Sequence, residues 1–404
     1  MKILQINSVS GYGSTGRIVE DIHQILIENG HESFISYGRD LGIHKYKAIK
    51  IGNKLNAFLH VVISRLYDRH GFGSRQSTKK FLKKISKLNI DVIHLHNIHG
   101  YYINIELLFE FIKNNQIPVV WTFHSCWAFT GHCSHFDYIG CEKWKTGCHD
   151  CPQIRSYPKS FFIDNSKINY LDKKRIFNDV NSLYIVTPSK WLEVLTKQSF
   201  LNHYNVLTIN NGIDLSVFKY GSSNLKKMLK IESKFVILGI SSSWDDTKGL
   251  DYFIKLSSMI AKDQVILIVG LDKKSKINLP ENIISYGKTN NSYELVEIYR
   301  GVDVLVNPTL QDTFPTINLE ALACGTPVVT FNTGGSPESI NNSVGLVVEK
   351  GNIEALYRGL NVIKTKGKSY YSVNCINHAR INFNKYDRFN EYLKLYEELH
   401  NSKK

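Results

Sequence analysis

Two carboxylates eight positions apart, Asp312 and Glu320, sit in the stretch DTFPTINLEALACGTPVVTFNTGGSP, residues 312–337. The apolar run Val302-Asp303-Val304-Leu305-Val306 leads in and reads as a buried parallel strand. A loop carrying Asp312 follows, then a short helix holding Glu320, stopped by Cys324-Gly325-Thr326-Pro327. The acids thus flank one helix N-terminus, whose unpaired N–H groups and partial positive charge suit a phosphate. Carboxylates cannot bind phosphate, but they accept hydrogen bonds from sugar hydroxyls on either side of it. The pattern therefore proposes a nucleotide-sugar pocket. Lys248 lies where a strand, Phe235–Ile240, gives way through SSSWDDTKG to a helix from Leu250, a fitting place for a cation on a diphosphate.

A second set of reactive residues lies in the first half. Asp91 to Gly100 reads as a buried strand ending in His96, Asn97 and His99, and Pro118 to Phe123 as the next strand, ending at His124. Parallel strands put function at their carboxyl ends, so these four residues are expected to look into one cleft. A lone histidine is more often a satisfied structural residue; several at successive strand ends favour a functional reading. Gly11-Tyr12-Gly13-Ser14-Thr15-Gly16 matches G-x-G-x-x-G between a strand, Lys2–Ser8, and a helix, Arg17–Asn29. A dinucleotide site also wants an acid at the tip of the second strand. Here that tip reads Tyr37-Gly38-Arg39-Asp40, so the glycines read instead as a tight turn letting backbone approach a substrate. Cys133, Cys141, Cys148 and Cys151 fall within nineteen residues and include a C-x-x-C knuckle. In a reducing compartment they suit a structural zinc site, with free thiols and disulfides as the alternatives. His132, His135 and His149 are substitute ligands.

These residues need elements to hold them. At 404 residues the chain is long for one core, and strands alternate with helices throughout, so two α/β domains are expected. Hydrophobic content of 43% with 12% aromatics marks a globular protein. MKILQINSV reads as a first strand and not a signal peptide, and no apolar run approaches a membrane span, so a cytoplasmic location is expected. The net charge of +14 calls for an anionic partner. Residues 45 to 87 carry twelve Lys/Arg, from Lys45 to Lys87, against one acid, Asp68, with apolar residues interleaved. That stretch reads either as a solvated helix face or as a dock for an anionic membrane leaflet. No nucleic-acid module accompanies the charge.

Taken together the motifs resemble the family-4 glycosyltransferases of the GT-B fold, over nearly the whole chain. The carriers are Gly11 to Gly16, His124, Pro188-Ser189-Lys190-Trp191, Asn211-Gly212-Ile213-Asp214, Lys248-Gly249, Asp312 to Glu320, Gly325-Thr326-Pro327-Val328-Val329 and Gly334-Gly335-Ser336-Pro337-Glu338. The set is specific, though no single member is. The segment from His94 to Tyr102 with the cysteine insert looks like a bacterial subgroup that builds colanic-acid-type, capsular and O-antigen polysaccharides.

The resemblance implies two Rossmann-like domains facing a cleft: an acceptor domain at 1–207 with the cysteine-rich insert at about 126–155, a nucleotide-sugar domain at 208–382, and a terminal helix at 383–404 packing back on the first. It implies glycosyl transfer with retention of configuration, from a UDP- or GDP-linked sugar to a lipid-linked oligosaccharide, with no catalytic metal. By analogy Lys248 neutralises the donor diphosphate, Glu320 bonds the ribose and Asp312 the donor sugar. Thr316 and Ile317 offer backbone N–H groups to phosphate, Tyr286 lies by the nucleobase, and Gly13 and Gly16 let the first domain close on the diphosphate. His124 lies beside the transferred sugar, with His96, Asn97 and His99 on the acceptor side. Two positions depart from the family pattern: Asp312 replaces a glutamate, and Ser243 an arginine. A sugar-nucleotide epimerase of the same fold and a non-catalytic sugar-nucleotide binder are the alternatives; incubation with donor alone separates the first, and donor binding without product the second.

Overall fold

The structure is a computed structural model and describes residues 1–39, 47–271 and 278–401. Asp40 and Lys45, weighed above, lie outside the described residues. The chain forms two compact units, Met1–Asn210 with Tyr386–Lys404, and Asn211–Lys385.

The first unit is built on a parallel seven-stranded sheet in the order β3-β2-β1-β4-β5-β6-β7. Its strands are β1 (Lys2–Val9), β2 (Glu32–Arg39), β3 (Ala48–Lys50), β4 (Val92–Leu95), β5 (Val119–Thr122), β6 (Leu183–Thr187) and β7 (Asn205–Thr208). Between them run α1 (Gly13–Glu28), α2 (Lys54–Tyr67), α3 (Arg75–Ile85), α4 (Ile105–Asn115), α5 (Ser166–Phe177) and α6 (Lys190–Lys197). Every residue of β4 and β5 is buried, as expected where crossover helices cover both faces of a parallel sheet. Ser189 caps α6 by accepting from the Leu192 N–H at 3.3 Å.

The second unit has a parallel six-stranded sheet in the order β10-β9-β8-β11-β12-β13. Its strands are β8 (Phe235–Ile240), β9 (Gln264–Val269), β10 (Ile283–Tyr286), β11 (Val304–Asn307), β12 (Val328–Phe331) and β13 (Gly345–Val348). Its helices are α7 (Leu225–Met228), α8 (Leu250–Ser257), α9 (Ser292–Gly301), α10 (Thr316–Ala323), α11 (Ile353–Lys366) and α12 (Lys368–Phe383). One apolar core from Ile213 to Phe383 fills it. From Tyr386 the chain continues as α13 (Lys385–Asn401) on the first unit. There Phe389, Tyr392, Leu395, Tyr396 and Leu399 pack on Ile3, Ile18, Ile22 and Val186. Each such buried side chain is worth about 1.5–3 kcal/mol, which accounts for the docking of α13.

Both sheets reverse their order of addition, between β1 and β4 in one and between β8 and β11 in the other. The loops leaving the strands at such a switch point diverge and open a crevice. Lys248 and Asp312 lie on the two loops that leave β8 and β11.

Two boundaries differ from expectation. The strand from Asp91 stops at Leu95, so His96, Asn97 and His99 lie beyond it in the loop. Helix α1 starts at Gly13, not Arg17, with Tyr12 in extended geometry as its cap. The apolar periodicity begins only at Ile18, and Gly13 and Gly16 belong to the first turn of the helix. Gly16 packs against the turn, where a Cβ would meet the Gly11 nitrogen at 3.4 Å. Among the described residues, no helix is long and apolar enough to cross a membrane.

Candidate functional site

In the second unit the two switch-point loops are locked together. Thr247 O accepts the Leu310 N–H at 2.8 Å and the Thr309 hydroxyl at 3.3 Å. Gly249 starts α8 at φ +77°, and a Cβ there would stand 2.4 Å from Pro308 O. This interlock brings Lys248 and Asp312, 64 positions apart, into an ion pair of 2.9 Å from Nζ to Oδ2. Burial lowers the lysine pKa, but the charge and hydrogen bond of Asp312, with Asp245, outweigh it and hold the pKa above its usual value. The ammonium is therefore charged throughout the physiological range.

Asp312 is fixed from two more sides. Its Oδ1 accepts the Phe314 N–H at 3.3 Å, and its carbonyl accepts the Gly335 N–H at 3.2 Å. Three residues on, Pro315 caps α10 without a side-chain hydrogen bond, and the first turn carries no acid. Thr316 and Ile317 are half-buried there. Such an uncapped start offers N–H donors to an anion. A buried amide–hydroxyl network sets the helix in place: Asn307 Nδ2 donates to Asn318 Oδ1 at 3.0 Å, and Asn318 Nδ2 donates to Ser336 Oγ at 3.0 Å and Ser339 Oγ at 3.1 Å. Glu320, one turn into α10, is buried, and its Oε2 accepts the Tyr299 hydroxyl at 2.8 Å. Tyr286 ends β10 and donates its hydroxyl to Glu294 at 2.7 Å. Ser243, where the family pattern has an arginine, hydrogen-bonds Ser241 within the same loop.

The first unit brings His96 and His124 together, with His96 Nδ1 3.1 Å from His124 Nε2 and the rings stacked. Burial pushes His124 down to about 4 and His96 well below its usual value, so both are neutral at neutral pH. The tautomers follow from the chain of partners. Gln5 donates from Nε2 to Val19 O at 3.0 Å, which turns its Oε1 toward His96 Nε2 at 3.2 Å. His96 must then donate from Nε2 and accept at Nδ1. His124 therefore donates from Nε2, and its Nδ1 carries a lone pair. Gln5→Leu keeps the buried volume and removes this relay. The expected result is a mixed His124 tautomer in imidazole ¹⁵N spectra and weaker transfer, with nucleotide binding to the second unit unchanged; an unaltered spectrum would count against the relay.

His99 does not join this pair. It bonds the Tyr157 hydroxyl at 3.1 Å and Ser125 Oγ at 3.4 Å, in an aromatic cluster with His70 and Trp127. Nor is Asn97 shown in contact with either ring: its N–H donates to Asn7 Oδ1, and its carbonyl accepts from Tyr102. Of the four residues expected in one cleft, His96 and His124 are in direct contact, while His99 and Asn97 bond other partners. His94, unmarked by the sequence because it sits inside β4, lies against His96 with ring centroids 3.9 Å apart. It ties α13 to the sheet through Tyr396 at 2.6 Å and Thr122 at 2.8 Å.

The buried histidines set the acid stability of this unit. Burial holds His23 at about 4 and His60 at about 3. In the unfolded chain each titrates near 6.5, so between these values the unfolded state binds more protons. Stability therefore rises with pH through this window and is lost as pH falls below about 6.5, by up to about 3 kcal/mol for one histidine shifted to about 4. His132 goes the other way, burial lowering it but the hydrogen bond and charge of Asp68 raising it more. Calorimetry from pH 7 to about pH 4 is expected to show this unit unfolding at steadily lower temperature; a flat profile would rule out neutral buried imidazoles.

Among the described residues, no group of three or more His, Cys, Asp or Glu is arranged to hold a metal ion. Cys133, Cys141, Cys148 and Cys151 are free thiols lining one small cavity. Protein partners engage three of them. Cys148 Sγ accepts the Gly131 N–H at 3.1 Å, and a hydrogen bond from Cys133 lowers Cys151 to about 7. What orders the insert is aromatic packing, with Trp144 stacked on Phe136 at 4.8 Å and tilted on Phe129 at 5.2 Å. Buried Lys173 adds to it, donating to Trp127 O at 2.8 Å and Thr130 O at 3.0 Å. Spacing alone does not reveal these partners.

Comparison with known proteins agrees with this architecture. Residues 15–217 match the family described as Glycosyltransferase Family 4, and residues 222–380 match Glycosyl transferases group 1. The putative colanic acid biosynthesis glycosyl transferase WcaC of Escherichia coli K12 is 26% identical, over 87% of this chain and 88% of its own length. Sucrose-phosphate synthase from Thermosynechococcus elongatus superposes with a TM-score of 0.72 at 16% identity, covering 99% of each chain. Anabaena HepE in complex with UDP-glucose gives 0.69 at 15% identity, over 98% of this chain and all of its own. The chain belongs to glycosyltransferase family 4 and has the GT-B fold.

Proposed function

We propose that this glycosyltransferase moves a sugar from a UDP- or GDP-linked donor to a growing, lipid-linked surface-polysaccharide oligosaccharide, with retention of anomeric configuration. The observation that carries the donor half is the Lys248–Asp312 ion pair held beside the uncapped start of α10. A cation, a sugar-hydroxyl acceptor and a row of N–H donors together match a sugar diphosphate, and few other ligands need all three. The UDP-glucose complex of HepE supports a nucleotide-sugar donor, and the name of WcaC supports polysaccharide biosynthesis as the setting.

In this reading negative charge grows on the departing diphosphate as the glycosidic bond breaks. Lys248 and the Thr316 and Ile317 N–H groups stabilise that charge in a preorganised site. Asp312 orients the donor sugar, Glu320 with Tyr299 holds the ribose end, and Tyr286 stands on the nucleobase side. His124, in the loop after β5, is assigned to the hydroxyls of the transferred sugar, and His96, 3.1 Å from it, positions it. A donor phosphate oxygen takes the acceptor proton, so acceptor attack and leaving-group departure share one face and configuration is retained. The test is a thermal-stabilisation screen with UDP-, GDP- and dTDP-sugars, followed by product analysis with lipid-linked acceptors. Stabilisation by a UDP- or GDP-sugar and an α-linked product from an α-linked donor are expected. No response to any nucleotide sugar would overturn the assignment.

A further inference from the structure

Helix α2 is turned inside out. Its buried residues are polar, His60 and Ser64. His60 accepts the Gly71 and Gly73 N–H groups at 3.2 Å each and bonds Ser74 Oγ at 2.9 Å. Val61, Val62 and Leu66 are half-buried, but five of its apolar residues face out: Leu55 is 63% exposed, Phe58 62%, and Leu59, Ile63 and Tyr67 are exposed with them. These positions recur at helical spacing and form one stripe along the helix. Phe162, 79% exposed, lies near the C-terminal half of the same helix, since the Phe161 N–H beside it donates to Arg65 O at 2.8 Å. A contiguous outward apolar face of this kind marks an interaction surface.

The surroundings identify the partner. Exposed Lys79, Lys80, Lys83 and Lys84 follow on α3, and with Lys54 they form no ion pair among the described residues. A cavity of about 330 Å³ between the two helices is lined by Lys50, Lys80 and Lys84 with Asn53, Asn56 and Ser77. A second copy of this chain would bring an equally basic face and be repelled. Nucleic acid would satisfy the lysines but leave the aliphatic stripe in water. An anionic bilayer satisfies both, since acyl chains take the stripe and phosphates take the lysines.

We infer that α2 lies in the surface of an anionic membrane, with Leu55, Phe58, Leu59 and Phe162 among the acyl chains and a lipid phosphate in the cavity of Lys50, Lys80 and Lys84. This deepens the proposed use of a lipid-linked acceptor and rests on that reading for its purpose.

Co-sedimentation of the full chain with phosphatidylcholine vesicles, and with equimolar phosphatidylcholine and phosphatidylglycerol, tests it. Binding only to the anionic vesicles, weakened by salt, is expected. Leu55→Glu with Phe58→Glu is expected to reduce partitioning about tenfold or more, as removal of two inserted apolar anchors should. Lys80→Glu with Lys84→Glu should reduce it as well. All four positions are exposed, so the thermal shift with a nucleotide sugar should stay at the wild-type value and report an intact fold. Equal partitioning of the wild type and the Leu55/Phe58 variant would overturn the inference. So would a wild-type dimer in light scattering that this variant dissociates. Failure of the wild type to bind anionic vesicles while it binds nucleotide sugar would overturn the inference alone; vesicle binding without nucleotide-sugar binding would overturn the donor assignment alone.

Discussion

Lys248→Ala is expected to lower kcat/KM for glycosyl transfer about 30- to 1,000-fold, the loss of about 2–4 kcal/mol of transition-state stabilisation seen when one preorganised donor is removed. The chain should stay folded, since Lys248 is partly exposed and its loop is held by Thr247, Gly249 and Trp244, whose Nε1 donates to Val269 O at 3.0 Å. The ion pair with Asp312 adds a second consequence. Removing the lysine leaves the carboxylate alone where a diphosphate must sit, and its repulsion joins the lost attraction. Asp312→Ala alone frees the lysine but loses the sugar contact. The double variant Lys248→Ala/Asp312→Ala should therefore be less impaired than the product of the single effects, and kcat/KM measured as a double-mutant cycle reads that coupling. Wild-type turnover in Lys248→Ala would remove Lys248 from the chemistry, and strictly additive effects would remove the pairing.

Much of this arrangement is written in local patterns. Apolar runs bounded by Gly, Pro or Asn mark β10 and β12 at their observed limits, the run Phe235–Ile240 between Lys234 and Ser241 marks β8, and Pro315 before Thr316 announces a helix start with no side-chain cap. The pairing of Lys248 with Asp312 is not local. It depends on β8 and β11 lying side by side at the reversal of sheet order, which neither segment encodes alone. His94 was hidden for a different reason: an imidazole inside a buried strand has no sequence signal, and its role is set by Thr122 and by Tyr396 on a helix three hundred positions away. Spacing in the cysteine insert suggested a ligand set, and it gave no sign of the packing of Phe129, Phe136 and Trp144 that accompanies it. The basic stretch was legible as charge. That the polar side of α2 faces inward was not, because periodicity reveals a face and not which way it points.

Gly334→Ala tests how the acid of the site is held, and it should be among the most damaging single-methyl changes in the second unit. Gly334 sits at φ +55°, where a side chain is strained, and a Cβ would fall 1.9 Å from Asp312 O. The obstacle is backbone, so no rotamer change relieves it. Either the Gly334-Gly335 turn or the Asp312 loop must move. The turn is pinned by Ser336, whose hydroxyl meets Thr330 Oγ1 at 2.7 Å and accepts from Asn318. The Asp312 loop is pinned through Thr309 and Leu310 to Thr247. Left-handed strain of about 1 kcal/mol and an overpacking cost of about 1–3 kcal/mol are both expected, giving about 2–4 kcal/mol of lost stability in denaturant unfolding. Any relief through the Asp312 loop breaks the Gly335 N–H to Asp312 O bond and swings the carboxylate from Lys248. Variants that remain folded should therefore lose transfer as well, while Gly13→Ala, whose added Cβ meets nothing within 4 Å, should lose stability only through its own backbone strain at φ +68°. Full stability and activity in Gly334→Ala would mean that the turn does not hold Asp312, and the rigid placement argued for that carboxylate would have to be given up.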